Sequence, residues 1–237
     1  TADLQPILSG PEEGHRVLAV SLMLEDVTDR RRAEAKRDLL SREVDHRARN
    51  ALAVVQAALR LTPKDDPEEY ARAVGGRVGA LARAHTLLAK GQWSGAELRD
   101  LVWGELAPFL GSAADKRRQP RAALDGPEVT LVPGAAQALS MALHELATNA
   151  VKHGALSRPE GRLRVAWRVV EAQGGERRLR VEWEESGVPV PPPPDGQTRR
   201  RGYGRELIER ALPYQLKAET RYELGPQGVR CTITLPV

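Results

Sequence analysis

The chain contains one cysteine among 237 residues and few aromatic side chains. A single thiol, Cys231, excludes an internal disulfide and offers no cluster of ligands for a metal. It lies in an alternating segment near the end of the chain, so we expect it in the core. One Phe and four Tyr are too few to indicate the interleaved aromatic residues on which single-stranded nucleic acid stacks, so we predict no nucleic-acid partner.

Long apolar runs are also missing. No uninterrupted apolar segment approaches the roughly 18 residues of a membrane-spanning helix, and no basic-then-apolar signal segment opens the chain. We therefore expect no membrane insertion in this chain and a cytoplasmic location. Neither sign of charge dominates, since 36 basic and 32 acidic residues leave a net charge of +4. The basic runs at 30–32 and 199–201 either attract phosphate or are solvated charges.

The first part of the chain is organised as a strand followed by two helices. Residues 17–24 form an apolar run rich in strand formers, and fewer than thirty residues precede the next helix, too few for a domain. Residues 29–61 favour one long helix, and residues 68–90 favour a second one despite three glycines. We expect an antiparallel hairpin that packs against a second copy or against neighbouring domains.

After Trp93 the pattern changes to short helices and alternating strands. It predicts a sheet covered by helices. The predicted strands are 128–132, 163–170, 179–184, 218–224 and 229–235. The Pro-rich segment 188–196 cannot join a central strand and predicts an exposed loop.

Residues 142–154 place an acid, an amide and a base on one face of an apolar helix. The spacing of Glu145, Asn149 and Lys152 puts their side chains along one stripe. The amide oxygen of Asn149 suits a divalent cation, Glu145 suits the orientation of a water or a proton, and Lys152 suits phosphate. The segment indicates a wall of a Mg-ATP site, with an amphipathic helix that has a solvated polar face as the alternative.

Two later elements supply what such a wall needs. Glu185 ends a predicted strand beside a glycine turn, where its carboxylate is placed to accept the amino hydrogen of a planar base. The element Gly202-Tyr203-Gly204 lets the backbone approach a ligand and opens a helix whose N-terminus favours phosphate. A lone Gly-x-Gly is more often a simple turn, but its place after the polar helix favours a nucleotide site.

These three elements resemble the N box, the G1 box and the G2 box of sensor histidine kinases. His144 and the Trp183-x-Glu185 pair are similar to the signature of the HWE subfamily of bacterial histidine kinases, which is named after those residues. Residues 43–56 resemble the phosphoacceptor box of that subfamily, with His46 in the acceptor position. The similarity extends from about residue 30 to the end of the chain.

The resemblance implies an α+β fold, in which a helical-hairpin dimerisation and phosphoacceptor domain precedes a Bergerat-type (GHKL) α/β sandwich that binds ATP. The implied domains are 1–28, the last strands of an incomplete PAS-like sensor domain, 29–92, the hairpin, and 93–237, the ATP-binding domain. The implied cofactors are ATP and Mg2+, with Asn149 as metal ligand. The implied cofactor-binding residues are Asn149, Lys152, His153, Glu185, Gly187, Gly202, Gly204 and Leu207.

His46 is also an expected phosphoacceptor on physical grounds. The apolar stripe of its helix includes Leu40, Val44 and Ala48, whereas His46 lies on a different face and should be exposed. A neutral imidazole near pH 7 has a free nitrogen for in-line attack on the γ-phosphate. Many histidine kinases have an acid directly after this histidine, but here Arg47 follows. The general base stays open, and we assign catalytic roles to His46, Glu145 and Arg47, the last stabilising the transferring phosphoryl group.

The other histidines predict different roles. His85 lies on the apolar side of the second helix, which favours a packing role. His144 either hydrogen-bonds the neighbouring backbone or lines the nucleotide pocket. His153 is either a ligand contact or a partner of the helix dipole. His15 carries no functional signal.

The sequence thus predicts a sensor histidine kinase that autophosphorylates His46 from Mg-ATP and passes the phosphoryl group to an aspartate of a response-regulator receiver domain. A homodimer is the expected assembly, and a monomer with its hairpin folded against its own ATP-binding domain is the alternative. Two other functions stay open. One is a non-catalytic scaffold that binds a response regulator, which Arg47 and the short Pro-rich lid favour; the other is an ATPase or serine kinase built on the same sandwich.

Overall fold

The computed structural model describes most of the chain after residue 61 and isolated parts before it. It covers residues 2–8, 17–24, 26, 28–32, 49, 52–53, 55–56, 59–60, 62–110, 121–172, 174–188, 203–226 and 228–237. By its contacts the chain forms two compact units, Thr1–Val54 and Val55–Val237. Within the described ranges, no helix combines the length and the apolar character needed to cross a membrane.

The first unit contains an antiparallel pair of strands. Strands β1 (Ala2–Leu8) and β2 (Val17–Leu24) pair with Ala2 opposite Leu24. The strand predicted at 17–24 is confirmed, and β1 is the partner that the sequence analysis did not identify. Residues 28–32 are helical. His46, Arg47 and most of the predicted first hairpin helix lie outside the described residues.

The second unit is built on a five-stranded mixed sheet covered on one face by helices. Its strands are β4 (Ala122–Asp125), β6 (Arg162–Glu171), β7 (Arg177–Ser186), β8 (Glu219–Gly225) and β9 (Gly228–Pro236). Their order is β4-β6-β7-β9-β8, with β4 parallel to β6 and the other neighbours antiparallel. Two short strands, β3 (Ala96–Glu97) and β5 (Thr130–Leu131), form a separate antiparallel pair.

Numbered within the described residues, the helices are α1 (Pro67–Lys90), α2 (Leu98–Leu110), α3 (Pro133–Lys152), α4 (Tyr203–Glu206) and α5 (Leu212–Leu216). A π-helical segment, Leu207–Ala211, joins α4 to α5. The N-cap of α1 is Asp66, whose carboxylate accepts hydrogen bonds from two backbone N–H groups of the first turn, and Pro67 follows it. The architecture confirms the expected sandwich of one sheet and one helical layer.

Alternation along the three central strands separates the two faces of the sheet. The inner face is apolar and at most 3% exposed, and consists of Leu163, Val165, Trp167, Leu179, Val181, Trp183, Cys231, Ile233 and Leu235. On the outer face, Glu182 and Glu184 of β7 pair with arginines of the neighbouring strands, such as Arg168 at 3.2 Å and Arg230 at 2.8 Å. One face thus supplies the core and the other is a ladder of charges, which is typical of a sheet covered on one side only.

The strands predicted at 163–170, 179–184, 218–224 and 229–235 are confirmed with small differences in length. The one predicted at 128–132 shortens to two residues because Pro127 and Pro133 flank it, and the second proline begins α3. Strand β4 was not predicted, since four residues give too little alternation to recognise.

Helices α1 and α3 pack antiparallel over most of their length. Contacts progress forward along α1 and backward along α3: Glu69 with Lys152, Arg77 with Glu145, Ala80 with Ser140, and His85 with Gln137. His85 also packs edge-on against Trp93, with ring centroids 5.3 Å apart, which confirms its packing role. A Cβ on Gly76 would lie 2.7 Å from Nε2 of His144, so this glycine in α1 allows the two helices to approach closely.

A buried carboxylate joins the three longest helices. Glu105 of α2 is 2% exposed and accepts hydrogen bonds from Nε of Arg83 in α1 at 3.0 Å and from Nδ1 of His144 in α3 at 3.0 Å. Burial raises the pKa of Glu105, but the hydrogen bonds and charges of His144 and Arg83 outweigh it and hold the pKa below its ordinary value of 4.5. The ionised form of Glu105 therefore stabilises the fold.

We expect Glu105→Gln to lower the free energy of unfolding by about 1–3 kcal/mol at pH 7. Because the pKa of Glu105 is lower in the folded than in the unfolded protein, this stabilisation is present above pH 4.5 and is lost as the pH falls further. Urea unfolding between pH 7 and pH 3 measures the effect. The difference in the free energy of unfolding between parent and variant should narrow below pH 4.5. An equal difference across the pH range would contradict a stabilising role for the ionised form of Glu105. Glu223→Gln, which removes an exposed ion pair with Arg221, is the control and should change stability little.

Candidate functional site

A cavity of about 880 Å³ is lined by residues of α1, α3 and α4 and by the ends of β7, β8 and β9. Six residues predicted for the nucleotide site line it: Glu145, Asn149, Lys152, His153, Glu185 and Gly204. Two further predicted residues, Gly187 and Leu207, are described but do not line it. Gly202, like His46 and Arg47, lies outside the described residues. The fold thus brings the polar helix and parts of both later elements to one place.

Glu145 is buried, and Arg77 of α1 holds its carboxylate. Nε of Arg77 donates to Oε1 at 2.6 Å, and Nη2 donates to Oε2 at 3.3 Å. Nη1 donates to the hydroxyl of Thr62, and the guanidinium carbon lies 3.8 Å from the centre of the Tyr203 ring. Glu145 is only 7% exposed, so the alternative of a solvated polar face is wrong for this residue.

Gly204 packs directly against Glu145. A Cβ at this position would lie 2.7 Å from Oε2 of Glu145 and 2.9 Å from its Cβ, closer than non-bonded atoms come in proteins. The close approach predicted for the Gly-Tyr-Gly element is therefore made to the wall of the cavity formed by α3. Burial of the neighbouring Tyr203 raises the pKa of its phenol.

The remaining predicted residues of α3 lie along the same side of the cavity. Asn149 is half-buried, and its side-chain amide makes no hydrogen bond to another described residue. Nζ of Lys152 lies 2.9 Å from Oε1 of Glu69 in the first turn of α1, and the hydrogen bond from Lys152 lowers the pKa of Glu69. The pair is exposed, so an anion in the cavity competes with Glu69 at little cost. His153 is the exposed C-cap of α3 and donates its backbone N–H to the carbonyl of Asn149 at 2.8 Å.

Glu185 is buried at the end of β7, and each of its oxygens has a donor. The indole N–H of Trp183 donates to Oε1 at 2.9 Å, and the backbone N–H of Ala155 donates to Oε2 at 2.7 Å. Trp183 and Glu185 share one face of the strand because side chains alternate. Burial raises the pKa of Glu185 although both hydrogen bonds lower it. Further lone pairs of this carboxylate can accept a hydrogen bond from a donor in the cavity.

Gly187 and Leu207 lie next to the cavity lining and shape it indirectly. Gly187 has a φ of +76° in the turn after β7, and a Cβ there would lie 2.7 Å from the carbonyl oxygen of Glu160. This turn requires glycine. Leu207 begins the π-helical segment and packs against the core.

His144 lines the cavity, and its Nδ1 bonds to the Glu105 side chain. The sequence left open whether His144 lines the pocket or hydrogen-bonds the neighbouring backbone. The structure supports the first role, and the hydrogen bond of His144 goes to the Glu105 side chain. The described residues contain no group of three or more His, Cys, Asp or Glu side chains arranged to hold a metal ion by themselves.

The part of α1 that completes the site was not predicted from the sequence. Arg77 stands in the stripe of α1 that continues with Ala80, Leu81, Ala84 and Leu88, all buried. A charged residue in an apolar stripe requires a buried partner, and this was the available signal. The partner, Glu145, follows 68 residues later, and only the register of the two helices identifies it.

Two family models match this sequence. One, described as HWE histidine kinase, matches residues 43–128, and the other, described as histidine kinase-like ATPase domain, matches residues 116–233. Proteins named blue-light-activated histidine kinase from Brucella ovis and Rhizobium johnstonii are each 36% identical to this chain, over 217 and 214 residues. These matches cover 91% and 89% of this chain but 42% and 58% of the relatives, so the chain spans about half the length of the curated relatives it matches.

A solved structure also resembles this chain. It is the histidine kinase domain of a blue-light activated histidine kinase from Erythrobacter litoralis, and it matches with a TM-score of 0.51 and 17% identity. The match covers 81% of this chain and 94% of that domain. At this level of identity the likeness concerns the fold alone.

We expect Gly154→Ala to displace the Glu185 side chain. A Cβ on Gly154 would overlap Oε2 of Glu185 and lie 2.8 Å from the Cα of Ala150, and such overpacking costs about 1–3 kcal/mol of stability. Thermal unfolding and binding of a fluorescent ATP analogue measure the two consequences, and both melting temperature and affinity should fall. Gly104→Ala is the matched control, because a Cβ there meets nothing within 4 Å inside α2, and it should stabilise the protein by roughly 0.5–1 kcal/mol. Parent-like stability and affinity in Gly154→Ala would contradict the packing described.

Proposed function

This chain belongs to the HWE histidine kinase family, and we propose that it phosphorylates its own His46 from Mg-ATP. The family membership confirms the resemblance found in the sequence. The phosphoacceptor, the nucleotide contacts and the recipient of the phosphoryl group are the proposal. The interpretation of residues 1–28 as the end of a PAS domain, and the division at residues 29 and 93, stay predictions.

The convergence of Glu145, Asn149, Lys152, Glu185 and Gly204 on one cavity carries this proposal. Each of these residues suits one part of a nucleotide. The buried Glu185 carboxylate accepts a hydrogen bond from the amino group of adenine, and Lys152 exchanges Glu69 for phosphate. Gly204 admits a close backbone approach, and Glu145 orients a water or a proton.

The donor set also fits a magnesium ion that arrives with the nucleotide. Mg2+ is commonly held by one or two protein oxygens and by substrate phosphates, without a dedicated protein cage. The side-chain amide of Asn149 lines the cavity and makes no hydrogen bond to another described residue, so its oxygen is available as that ligand. When bound, the ion neutralises phosphate charge during transfer.

The chemical step is an in-line displacement. A neutral imidazole nitrogen of His46 attacks the γ-phosphorus, the bond to the β,γ-bridging oxygen breaks, and ADP leaves with that electron pair. The imidazolium formed loses its remaining N–H proton to solvent. In the second transfer, a carboxylate oxygen of a receiver aspartate attacks the phosphorus, and the nitrogen–phosphorus bond breaks with its electron pair returning to the ring. Arg47, next to the acceptor, stabilises the charge of the transferring group.

The proposed partner is therefore a response-regulator receiver domain, and the proposed location is the cytoplasm, where that partner and ATP meet. A homodimer is the proposed assembly, and a monomer is the alternative. In the described residues, Ala84 and Leu88 of α1 pack in the core of their own chain, so a dimer contact would have to use other surfaces. The names of the relatives include activation by blue light, but this chain spans only about half of their length. Our proposal therefore concerns the kinase chemistry and not the input signal.

Incubation with γ-labelled ATP and magnesium tests the proposal. The parent chain should acquire label that is lost in acid and retained in alkali. His46→Gln should abolish it, and Asn149→Ala should reduce its rate on the order of 100-fold, because a lost metal ligand removes several kcal/mol of charge stabilisation. His15→Gln is the matched control and should label like the parent.

The other outcomes identify the competing functions. Binding of the nucleotide without any label contradicts the kinase proposal and favours the response-regulator scaffold. Label that survives acid but is lost in hot alkali favours a serine kinase, and nucleotide hydrolysis without label favours an ATPase. Label retained in His46→Gln means that the acceptor is a different residue.

A further inference from the structure

Arg77 belongs to the helix after the predicted phosphoacceptor helix, yet its guanidinium lies within the candidate site. It contacts Glu145 of α3, Thr62 before α1 and Tyr203 of α4. We propose that Arg77 is a positioning residue for phosphoryl transfer, which fixes the carboxylate of Glu145 at the wall of the cavity. This inference rests on the proposed function and assigns to α1 a part in the nucleotide site.

Because both side chains are buried, Arg77 and Glu145 each require the other as an ion-pair partner. The side chains of Arg77 and Glu145 are 7% and 10% exposed. A carboxylate removed from water is costly unless its charge is paired and its lone pairs are hydrogen-bonded. Removal of either side chain therefore leaves the other as a buried group without its partner.

The geometry restricts Glu145 to one orientation. Two nitrogens of the guanidinium reach the two carboxylate oxygens, and the third nitrogen donates to the Thr62 hydroxyl. The guanidinium thus has an anchor on the opposite side and cannot rotate without losing a contact. A planar fork fixes a carboxylate in this way, whereas the ammonium of lysine provides a point charge without the fork.

The same guanidinium also positions the glycine element. Its face lies 3.8 Å from the centre of the Tyr203 ring, and the adjacent Gly204 packs against Glu145. Movement of Arg77 would therefore disturb both the acid of α3 and the start of α4. Arg77 of α1 thus contacts two parts of the cavity lining, α3 and α4, which bind the nucleotide in the proposed function.

A second arginine of α1 offers a matched comparison. Arg83, six residues after Arg77, pairs with both oxygens of the buried Glu105. Glu105 does not line the cavity, and the Arg83 side chain is 41% exposed. Arg83→Gln therefore breaks a similar ion pair of the same helix, but the carboxylate that loses its partner does not line the cavity.

The test compares the rate of histidine labelling at saturating Mg-ATP and the KM for ATP. The variants are Arg77→Gln, Arg77→Lys, Glu145→Gln, the double variant of Arg77→Gln with Glu145→Gln, and Arg83→Gln. We expect Arg77→Gln to lower the saturated rate by about 10- to 100-fold, with a smaller change in KM, because the acid is misplaced while the other nucleotide contacts persist. Arg77→Lys should recover part of the rate. In the Glu145→Gln background, loss of Arg77 should lower the rate much less.

Several outcomes overturn the inference. If the parent is labelled and Arg77→Gln is labelled at the same rate, the role of Arg77 is wrong while the proposed function stands. The same conclusion follows if Arg77→Gln lowers the rate as much in the Glu145→Gln background as in the parent. An equal loss of rate in Arg83→Gln means that Arg77 acts only through stability. Should Arg77→Gln fail to fold, Arg77→Lys and the double variant, which buries no unpaired charge, decide the question. Absence of label on the parent overturns the proposed function and this inference with it.

Discussion

A carboxylate cannot be withdrawn from water without donors, and three buried glutamates impose this constraint on the second unit. Glu105, Glu145 and Glu185 are each at most 7% exposed. Glu105 requires Arg83 and His144, Glu145 requires Arg77, and Glu185 requires Trp183 and the backbone of Ala155. These pairings link α1, α2 and α3 to one another, and they link the turn after α3 to the end of β7. Two of the three residues that name the family, His144 and Trp183, are donors in them, and the third, Glu185, is an acceptor.

This arrangement explains how one helix serves both core and chemistry. The apolar stripe of α3, with Leu139, Leu143 and Leu146, is fully buried in the core. Its polar stripe faces α1 and the cavity, and there each charge has an opposite one from α1: Arg77 at Glu145 and Glu69 at Lys152. The Arg77–Glu145 pair is buried, so neither partner can be replaced by water. The Glu69–Lys152 pair is exposed, so another anion can replace Glu69. In the proposed function, a phosphate therefore displaces Glu69 from Lys152 at low cost, while Arg77 keeps Glu145 in place.

Much of the fold could be predicted from the sequence, because hydrophobic alternation over eight to ten residues identifies a strand without reference to the rest of the chain. The strands β6 and β7 were recognised in this way, and the helices α1 and α3 were recognised by the helical spacing of their side chains. The acid, amide and base of α3 share one helix face, so their convergence was also predictable. The contacts of Arg77, Glu105 and Glu69 depend on the register between helices far apart in the chain, and no local pattern specifies that register.

A crystal structure of this chain with Mg2+ and a non-hydrolysable ATP analogue would show whether the cavity is the nucleotide site. We expect the analogue in the cavity between α1 and α3, with the adenine amino group at Glu185 and the ion at the amide oxygen of Asn149. We also expect Lys152 to exchange Glu69 for phosphate while Arg77 remains paired with Glu145. A nucleotide bound outside this cavity, or bound within it without contact to Glu185 and Asn149, would show that these residues do not form the nucleotide site.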